Sequence, residues 1–166
     1  MTELQHDTFA SPVGTIMLFA RNGVLVHLDF EDCPGRIERL LERRFGTVTF
    51  SRVELDEPKQ GLADYFAGNI NALDRLEVDP GGTEFQNRLW LALRGIAGGT
   101  TASYADMAIR IGKPRAVRAV GRTNGLNPIA LVLPCHRVIG KDGSLTGYAG
   151  GLERKAWLLR HEGALL

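Results

Sequence analysis

A cysteine and a histidine stand next to each other in the sequence Pro134-Cys135-His136-Arg137-Val138, directly after an apolar run. Cys33 is the one other cysteine of the chain, so a disulfide framework is excluded and a free thiol is expected. The thiolate is the nucleophilic form of cysteine, and a neighbouring base or cation increases its fraction. The segment therefore predicts a reactive thiol, and a cysteine packed as a small hydrophobic residue is the competing interpretation.

The apolar run at residues 129–133 predicts a buried strand that carries Cys135 at its tip. Proline at position 134 has no N–H to donate and restricts the residue before it, so the strand is expected to end there. Successive side chains of a strand point to opposite faces, which would separate Cys135 from His136. Direct pairing of the two side chains therefore requires a turn after Pro134 or a bridging water.

The N-terminal half of the chain is predicted to be a small α+β unit. An Asn22-Gly23 pair indicates a tight hairpin between two apolar segments. The turn-forming sequence Asp79-Pro80-Gly81-Gly82-Thr83 separates this unit from the rest, so we expect two domains, at residues 1–80 and 81–166. The periodicities predict strands at residues 15–20, 24–30 and 47–53 and helices at residues 35–45 and 59–66.

Two short helices joined by Gly112-Lys113-Pro114 form a candidate helix-turn-helix in the C-terminal half. A Ser-x-x-Asp sequence from Ser103 predicts a capping box at the start of the first helix. The second helix is expected at residues 115–124 and has small residues between its arginines, which suits contact with phosphates and DNA shape. Residues 109–122 contain five basic residues and no acid, and a solvated helix face is the competing interpretation.

The composition narrows the class of protein. No stretch approaches the ~20 apolar residues that span a bilayer, and the first residues lack the pattern of a secretory signal. We therefore expect a cytoplasmic protein without membrane contact. Cys33, His6 and His27 lack metal-ligand spacing, so we expect no metal site, and no cofactor is indicated.

Four motifs, in order along the chain, resemble those of the O6-alkylguanine-DNA alkyltransferases, in particular the bacterial members. They are Arg118-Ala119-Val120-Gly121, Pro134-Cys135-His136-Arg137-Val138-Ile139-Gly140, Gly147-Tyr148-Ala149-Gly150-Gly151 and Trp157-Leu158-Leu159-Arg160-His161-Glu162-Gly163. The resemblance covers residues 83–166 closely. It implies an α+β fold with an N-terminal RNase H-like domain and a C-terminal winged-helix-like domain that carries the helix-turn-helix.

The activity that the resemblance implies is direct reversal of DNA damage. An alkyl group on O6 of guanine, and less often on O4 of thymine, moves irreversibly to Cys135, so each protein molecule acts once. A stacked base hides its O6 substituent, so the nucleotide must be flipped out of the duplex. The implied partner is alkylated double-stranded DNA, approached through the minor groove by a protein that we expect to be monomeric.

The resemblance also assigns roles to residues around Cys135. A water molecule links the Cys135 thiol to His136, and Glu162 orients the imidazole. Asn127 ties the loop after the second helix to the cysteine segment. Tyr104 is the candidate donor of a proton to the leaving guanine.

A second group of residues is implied to contact the DNA and the flipped base. Arg118 fills the gap that the flipped base leaves in the stack. The other DNA-facing residues are Ser103, Ala116, Val117, Ala119, Gly121 and Arg122. The base pocket comprises Tyr104, Val138, Tyr148, Ala149 and Gly150.

Two alternatives remain open from the residues alone. A non-catalytic binder of alkylated bases or a helix-turn-helix regulator could use the same helix without alkyl transfer, but binding-only relatives replace the cysteine that this chain keeps. A hydrolase with a Cys-His-Glu arrangement would need donors for an oxyanion. No glycine-rich donor arrangement beside Cys135 indicates such a site.

Overall fold

The computed structural model describes all residues, 1–166, and has a mixed α+β fold. The N-terminal half contains a four-stranded sheet in the order β3-β2-β1-β4, in which β1 and β4 are parallel and the other pairs antiparallel. The elements of this half are β1 (Thr2–Ser11), β2 (Gly14–Arg21), β3 (Val24–Phe30), α1 (Arg36–Phe45), β4 (Val48–Arg52) and α2 (Asp56–Phe66).

The predicted strands and helices of this half are confirmed, with two differences. Strand β1 has no counterpart among the predicted strands. Leu4 and Asp7 are its two fully buried residues, so its sequence lacks the alternation of apolar residues that indicates a strand. Helix α2 begins at Asp56, three residues before its predicted start. Pro58 lies in the first turn of α2, where a backbone N–H has no partner within the helix and proline is tolerated.

The C-terminal half is mostly helical. Ser103 forms the predicted capping box at the start of a helix, and Thr83 forms a second complete capping box. The helix expected from Arg115 begins at Val117, because the preceding residues form a turn. The elements of this half are α3 (Glu84–Ala92), β5 (Ala102–Ser103), α4 (Tyr104–Arg110), α5 (Val117–Gly125), β6 (Val138–Ile139) and α6 (Leu152–His161).

The prediction of a buried strand at residues 129–133 is wrong. The segment is fully buried, but only Ile129 forms a bridge with the sheet, at Leu28 of β3. Leu131 then has φ of 69°, and the N–H of Leu133 donates to the carbonyl of Ile129, so the chain coils. An unbroken apolar run indicates burial, but it does not distinguish a strand from a buried turn.

One main hydrophobic core of 28 residues contains side chains from both halves, including Leu18, Leu28, Leu89, Ile129 and Leu158. The division at residues 80 and 81 stays a prediction, since apolar packing continues across it. A smaller cluster between α1 and the opposite side of the sheet includes Phe19 and Leu41. None of the helices has the length and apolar character needed to cross a bilayer.

Candidate active site

Cys135 lies at the start of a short 3-10 turn, Cys135–Arg137, and is 6% exposed. The residue borders a cavity of about 20 Å³, which is room for about one water molecule. Both halves of the chain supply its walls, so Cys135 lies at the junction between the sheet and the C-terminal helices. The lining residues are Asp29, Phe30, Arg36, Asn124, Gly125, Asn127, Ala130, Cys135, Gly147, Tyr148, Ala149 and Gly150.

His136 is completely buried and is not one of the residues that line this cavity. Its Nε2 is 2.8 Å from Oε2 of Glu162, at the end of α6. Its Nδ1 is buried and has no hydrogen-bond partner in the protein, so the thiol of Cys135 does not bond to it directly. The turn that direct pairing would need is present, but the two side chains are not paired.

The carboxylate of Glu162 accepts hydrogen bonds from the side chains of Tyr65, His136 and Arg137. We call these four residues the Glu162 cluster. His136 and Tyr65 donate to Oε2, and Arg137 donates to both oxygens at 2.8 and 3.1 Å. Burial raises the pKa of Glu162, but the hydrogen bonds and charges of His136 and Arg137 outweigh burial and lower the pKa to about 2. Glu162 is therefore ionised at neutral pH.

The ionised carboxylate fixes the tautomer of His136. A carboxylate can only accept, so Nε2 of His136 carries the hydrogen and Nδ1 has a free lone pair. Burial lowers the pKa of His136, although Glu162 opposes this effect, so the imidazole is neutral in the resting protein. Nδ1 of His136 is therefore a buried, unprotonated nitrogen on the residue that follows Cys135.

Cys135 is held as a thiol in the resting protein. Burial raises its pKa, whereas a hydrogen bond from Asn127 and the charges of Arg36 and Lys155 act in the opposite direction. A buried thiol with a raised pKa is a poor nucleophile until a base removes its proton. The two cations and the amide of Asn127 would stabilise the thiolate once it has formed.

Asn127 also shapes the segment that leads to Cys135. Its Nδ2 donates to the carbonyl of Leu133 at 2.7 Å, and its Oδ1 accepts from the N–H of Ile129. These bonds connect the loop after α5 with the cysteine segment, which is the contact that the resemblance implies. The neighbouring Asn124 on α5 donates to the carbonyl of Cys135 at 3.3 Å.

Lys155 is a site residue that was not predicted. It is fully buried, and its Nζ donates to the carbonyls of Val138 at 2.6 Å and Thr146 at 2.7 Å. Burial lowers its pKa to about 8. A signal was present in the sequence, because Lys155 shares the i, i+3, i+4, i+7 face of α6 with Leu158, Leu159 and Glu162.

Two arginines attach the N-terminal half to the cavity, and no local motif indicates either of them. Arg36 pairs with Asp29 at 2.7 Å and donates to the carbonyls of Gly125 and Asn127. Arg154 donates to the carbonyl of Gly150 at 2.7 Å and to that of Val13 in the β1–β2 turn. Asp29 and Gly150 are local partners, but the contacts with Gly125, Asn127 and Val13 join residues at least 89 positions apart. These three contacts therefore depend on the tertiary fold.

The predicted base-pocket residues fall into two groups. Tyr148, Ala149 and Gly150 line the cavity with Cys135, as part of what we call the pocket loop, residues 146–150. Tyr104 and Val138 do not line it. The hydroxyl of Thr146 donates to Tyr104 Oη at 3.0 Å on the exposed side of the pocket loop, and Val138 is buried beneath it.

The predicted DNA-facing residues lie on or beside α5, and we call Ala116, Val117, Arg118, Ala119, Gly121 and Arg122 the α5 surface. Arg118 and Arg122 are exposed and make no ion pair or hydrogen bond within the protein. Gly121 faces the ring of Tyr104, which a Cβ at this position would meet at 3.8 Å. Ser103 forms the capping box of α4, in which its hydroxyl oxygen accepts a hydrogen bond from the N–H of Asp106.

A much larger groove, of about 600 Å³, lies between α1 and the sheet. Its walls include Phe19, Leu41 and Phe50, and its rim carries Glu38 and Glu42. It contains no cysteine and none of the residues of the Glu162 cluster. Cavity size alone therefore does not identify the candidate site, because the smaller cavity is the one that a cysteine borders.

The family description and the full-length relatives that this chain matches all name the same kind of methyltransferase. The family description "6-O-methylguanine DNA methyltransferase, DNA binding domain" matches residues 84–164. A methylated-DNA--protein-cysteine methyltransferase of Salmonella typhimurium is 45% identical over 100% of this chain and 99% of its own length. One of Methanosarcina barkeri is 45% identical over 96% of this chain and 97% of its own.

Solved structures agree with these relatives. The crystal structure of Mycobacterium tuberculosis OGT in complex with DNA has a TM-score of 0.81 and 39% identity, and the match covers 98% of this chain and 94% of that one. The O6-methylguanine-DNA methyltransferase of Pyrococcus kodakaraensis has a TM-score of 0.75 and 25% identity, over 96% and 99% of the two chains. The similarity thus extends over the sheet and the helices alike.

Proposed function

The chain belongs to the methylated-DNA--protein-cysteine methyltransferases, and we propose that Cys135 is the residue that accepts the alkyl group from O6 of guanine in DNA. The observation that carries this assignment is the position of Cys135 on the wall of a cavity, directly before a buried His136 that Glu162 orients. O4-alkylthymine is proposed as the lesser substrate, as the resemblance implies.

The transfer begins with the thiol proton. His136 Nδ1 has a free lone pair and takes this proton through a water molecule, as the resemblance to the family implies. Glu162 remains ionised and stabilises the imidazolium that forms. Asn127, Arg36 and Lys155 stabilise the thiolate of Cys135.

The thiolate then attacks the alkyl carbon. A bond between Sγ of Cys135 and this carbon forms as the bond between the carbon and O6 breaks. Guanine leaves with the electron pair and takes up one proton, which balances the proton lost by the thiol. The thioether that remains is not hydrolysed, so the protein acts once.

Tyr104 is proposed as the donor that protonates the leaving guanine. Its hydroxyl lies at the pocket loop, where it accepts from Thr146. The cavity of about 20 Å³ does not admit a purine, so the pocket loop must move when the flipped base enters. Such a movement would bring the base between Tyr104 and Tyr148, with Val138 beneath it.

The α5 surface is proposed to contact the minor groove. Its small residues allow the backbone of α5 to approach the DNA, and the unpaired Arg118 would enter the stack in place of the flipped base. Arg122 would contact phosphate. A non-catalytic binder is the weaker candidate, because a buried thiol with a poised base has no use in binding alone.

We also propose the domain assignment, the oligomeric state and the cellular location of the protein. The sheet with α1 and α2 corresponds to an RNase H-like domain at residues 1–80, and residues 81–166 to a winged-helix-like domain around α4 and α5. The protein acts as a monomer on DNA. It acts in the cytoplasm, where a thiol such as that of Cys135 stays reduced.

Mass spectrometry tests the assignment directly. Incubation with a duplex that contains O6-methylguanine should transfer one methyl group to the peptide with Cys135, and the peptide with Cys33 should remain unchanged. Repair should stop at one equivalent, and Cys135→Ser should transfer none. Catalytic turnover, or repair that leaves Cys135 unmodified, would contradict the proposal.

A further inference from the structure

Tyr65 reaches the candidate active site from the N-terminal half of the chain. It lies near the end of α2, is 1% exposed, and is separated from Glu162 by 97 residues. Its hydroxyl donates to Oε2 of Glu162 at 2.7 Å. The same oxygen accepts from Nε2 of His136 at 2.8 Å, so a single atom connects the tyrosine to the imidazole.

The hydroxyl of Tyr65 is a neutral donor that remains protonated. Burial and the charge of Glu162 both raise the pKa of Tyr65 far above its ordinary value. Tyr65 therefore draws electron density from Oε2 at every pH at which the protein is folded. Arg137, by contrast, brings a full charge and binds both oxygens.

The ring of Tyr65 has a separate, structural role. It packs edge-on against Phe66 and His161, and the backbone carbonyl of Tyr65 accepts from Nε2 of His161 at 2.7 Å. A phenylalanine would fill the same space and keep the backbone contact. The hydroxyl can thus be removed with little change in packing.

We propose that Tyr65 is a positioning residue for alkyl transfer, through which the N-terminal half sets the basicity of His136 by way of Glu162. The inference rests on the proposed function of Cys135 and His136. Without the hydroxyl, Oε2 would carry more negative charge and would stabilise the imidazolium of His136 more strongly. Less neutral imidazole would then be present at low pH to accept the thiol proton.

The other titratable and charged groups around this pair are the same in wild type and in Tyr65→Phe. Arg137 and Lys155 oppose protonation of His136, and Glu162 favours it. Tyr148 on the pocket loop faces the imidazole with a ring distance of 6.5 Å. His161 faces Tyr65 with a ring distance of 5.1 Å, and Cys135 precedes His136 in the chain.

The experiment compares wild type with Tyr65→Phe in single-turnover methyl transfer from an O6-methylguanine duplex, between pH 5.5 and 9. We expect the acidic limb of the rate profile to move upward by about half a pH unit, which is about a threefold loss of rate on that limb. The plateau at high pH should stay equal or rise slightly, because His136 is neutral there in both proteins and the more basic imidazole accepts the thiol proton more readily.

Three further proteins separate this role from packing. Phe66→Leu removes packing beside Tyr65 and should lower the melting temperature without moving the limb. In a Glu162→Gln background, Tyr65→Phe should produce no shift. Replacement of Tyr65 by 3-fluorotyrosine nearly keeps the shape of the side chain and makes its hydroxyl a stronger hydrogen-bond donor. The acidic limb should then move to lower pH. This protein tests the role of the hydroxyl even if Tyr65→Phe folds poorly.

The outcomes are distinct. If wild type transfers no methyl group to Cys135, the proposed function fails. If wild type transfers the group but neither Tyr65→Phe nor the fluorotyrosine protein moves the acidic limb, the role of Tyr65 is overturned. A shift in Phe66→Leu equal to that in Tyr65→Phe would also overturn it, because packing alone would then explain the effect.

Discussion

Arg137 and Arg118 show how differently the two functional regions of this protein use the same side chain. Arg137 is 4% exposed and donates to Glu162 and to the carbonyl of Ile96, all within the protein. Arg118 on α5 is exposed and has no partner within the protein. The donors of the Glu162 cluster are thus paired within the protein, whereas the arginines of the α5 surface have no partner in the protein.

This difference predicts how each region responds to substitution. A buried ion pair that loses one partner leaves an uncompensated charge, so stability and chemistry should change together. An exposed arginine without a partner contributes little to folding, so its loss should affect only binding.

Glu162→Gln should give the largest effect. We expect a loss of about 3 kcal/mol in the free energy of unfolding, because Arg137 stays buried opposite a neutral amide. The single-turnover rate should fall about 100-fold, because the imidazolium of His136 loses its stabilising charge. Urea denaturation and rapid-quench kinetics measure the two quantities.

Binding of the lesion duplex should change little in Glu162→Gln, because Glu162 is buried away from the α5 surface. An unchanged transfer rate would remove Glu162 from the reaction. Unchanged stability would show that Arg137 tolerates the loss of its partner, and the contrast between the two regions would then not hold.

Arg118→Ala should separate binding from chemistry. We expect repair in duplex DNA to fall by about tenfold or more, because the flipped base loses the side chain that replaces it in the stack. Reaction with free O6-benzylguanine should keep its rate, because the free base needs no flipping. Equal losses on the two substrates would show that Arg118 does not support flipping.

Arg122→Ala should give the smallest effect. It should weaken binding to all duplexes alike and reduce the slope of log affinity against log salt by about one, as expected for one lost phosphate contact. Arg43→Ala is a matched control, since Arg43 is an exposed arginine on α1 outside the α5 surface. A salt slope that falls equally in both variants would remove Arg122 from the DNA contact.

Local sequence signals were sufficient where the structure depends on neighbouring residues. The capping box at Ser103 was predicted and is confirmed, because such a cap requires only the next three residues. The Asn22-Gly23 hairpin was confirmed for the same reason. Residues 129–133 were predicted wrongly, because their coiled path depends on contacts with β3 and Asn127.

The candidate site divides in a similar way. Cys135, His136 and Glu162 were expected from motifs in the sequence, and the structure brings His136 and Glu162 within hydrogen-bond distance. Tyr65, Lys155 and Arg36 were not expected as site residues. Their hydrogen-bond partners are residues far away in the sequence or buried backbone carbonyls, and residue spacing does not indicate such contacts.

Local motifs are enough to indicate the candidate nucleophile, the neighbouring histidine, the capping box and turn around α4 and α5, and the family to which these motifs belong. The protonation states depend instead on the folded chain: Cys135 rests as a thiol, His136 is neutral with Nδ1 free, and Glu162 is ionised. Protonation depends on burial and on charges within a few ångströms, and folding brings those groups together from both ends of the chain.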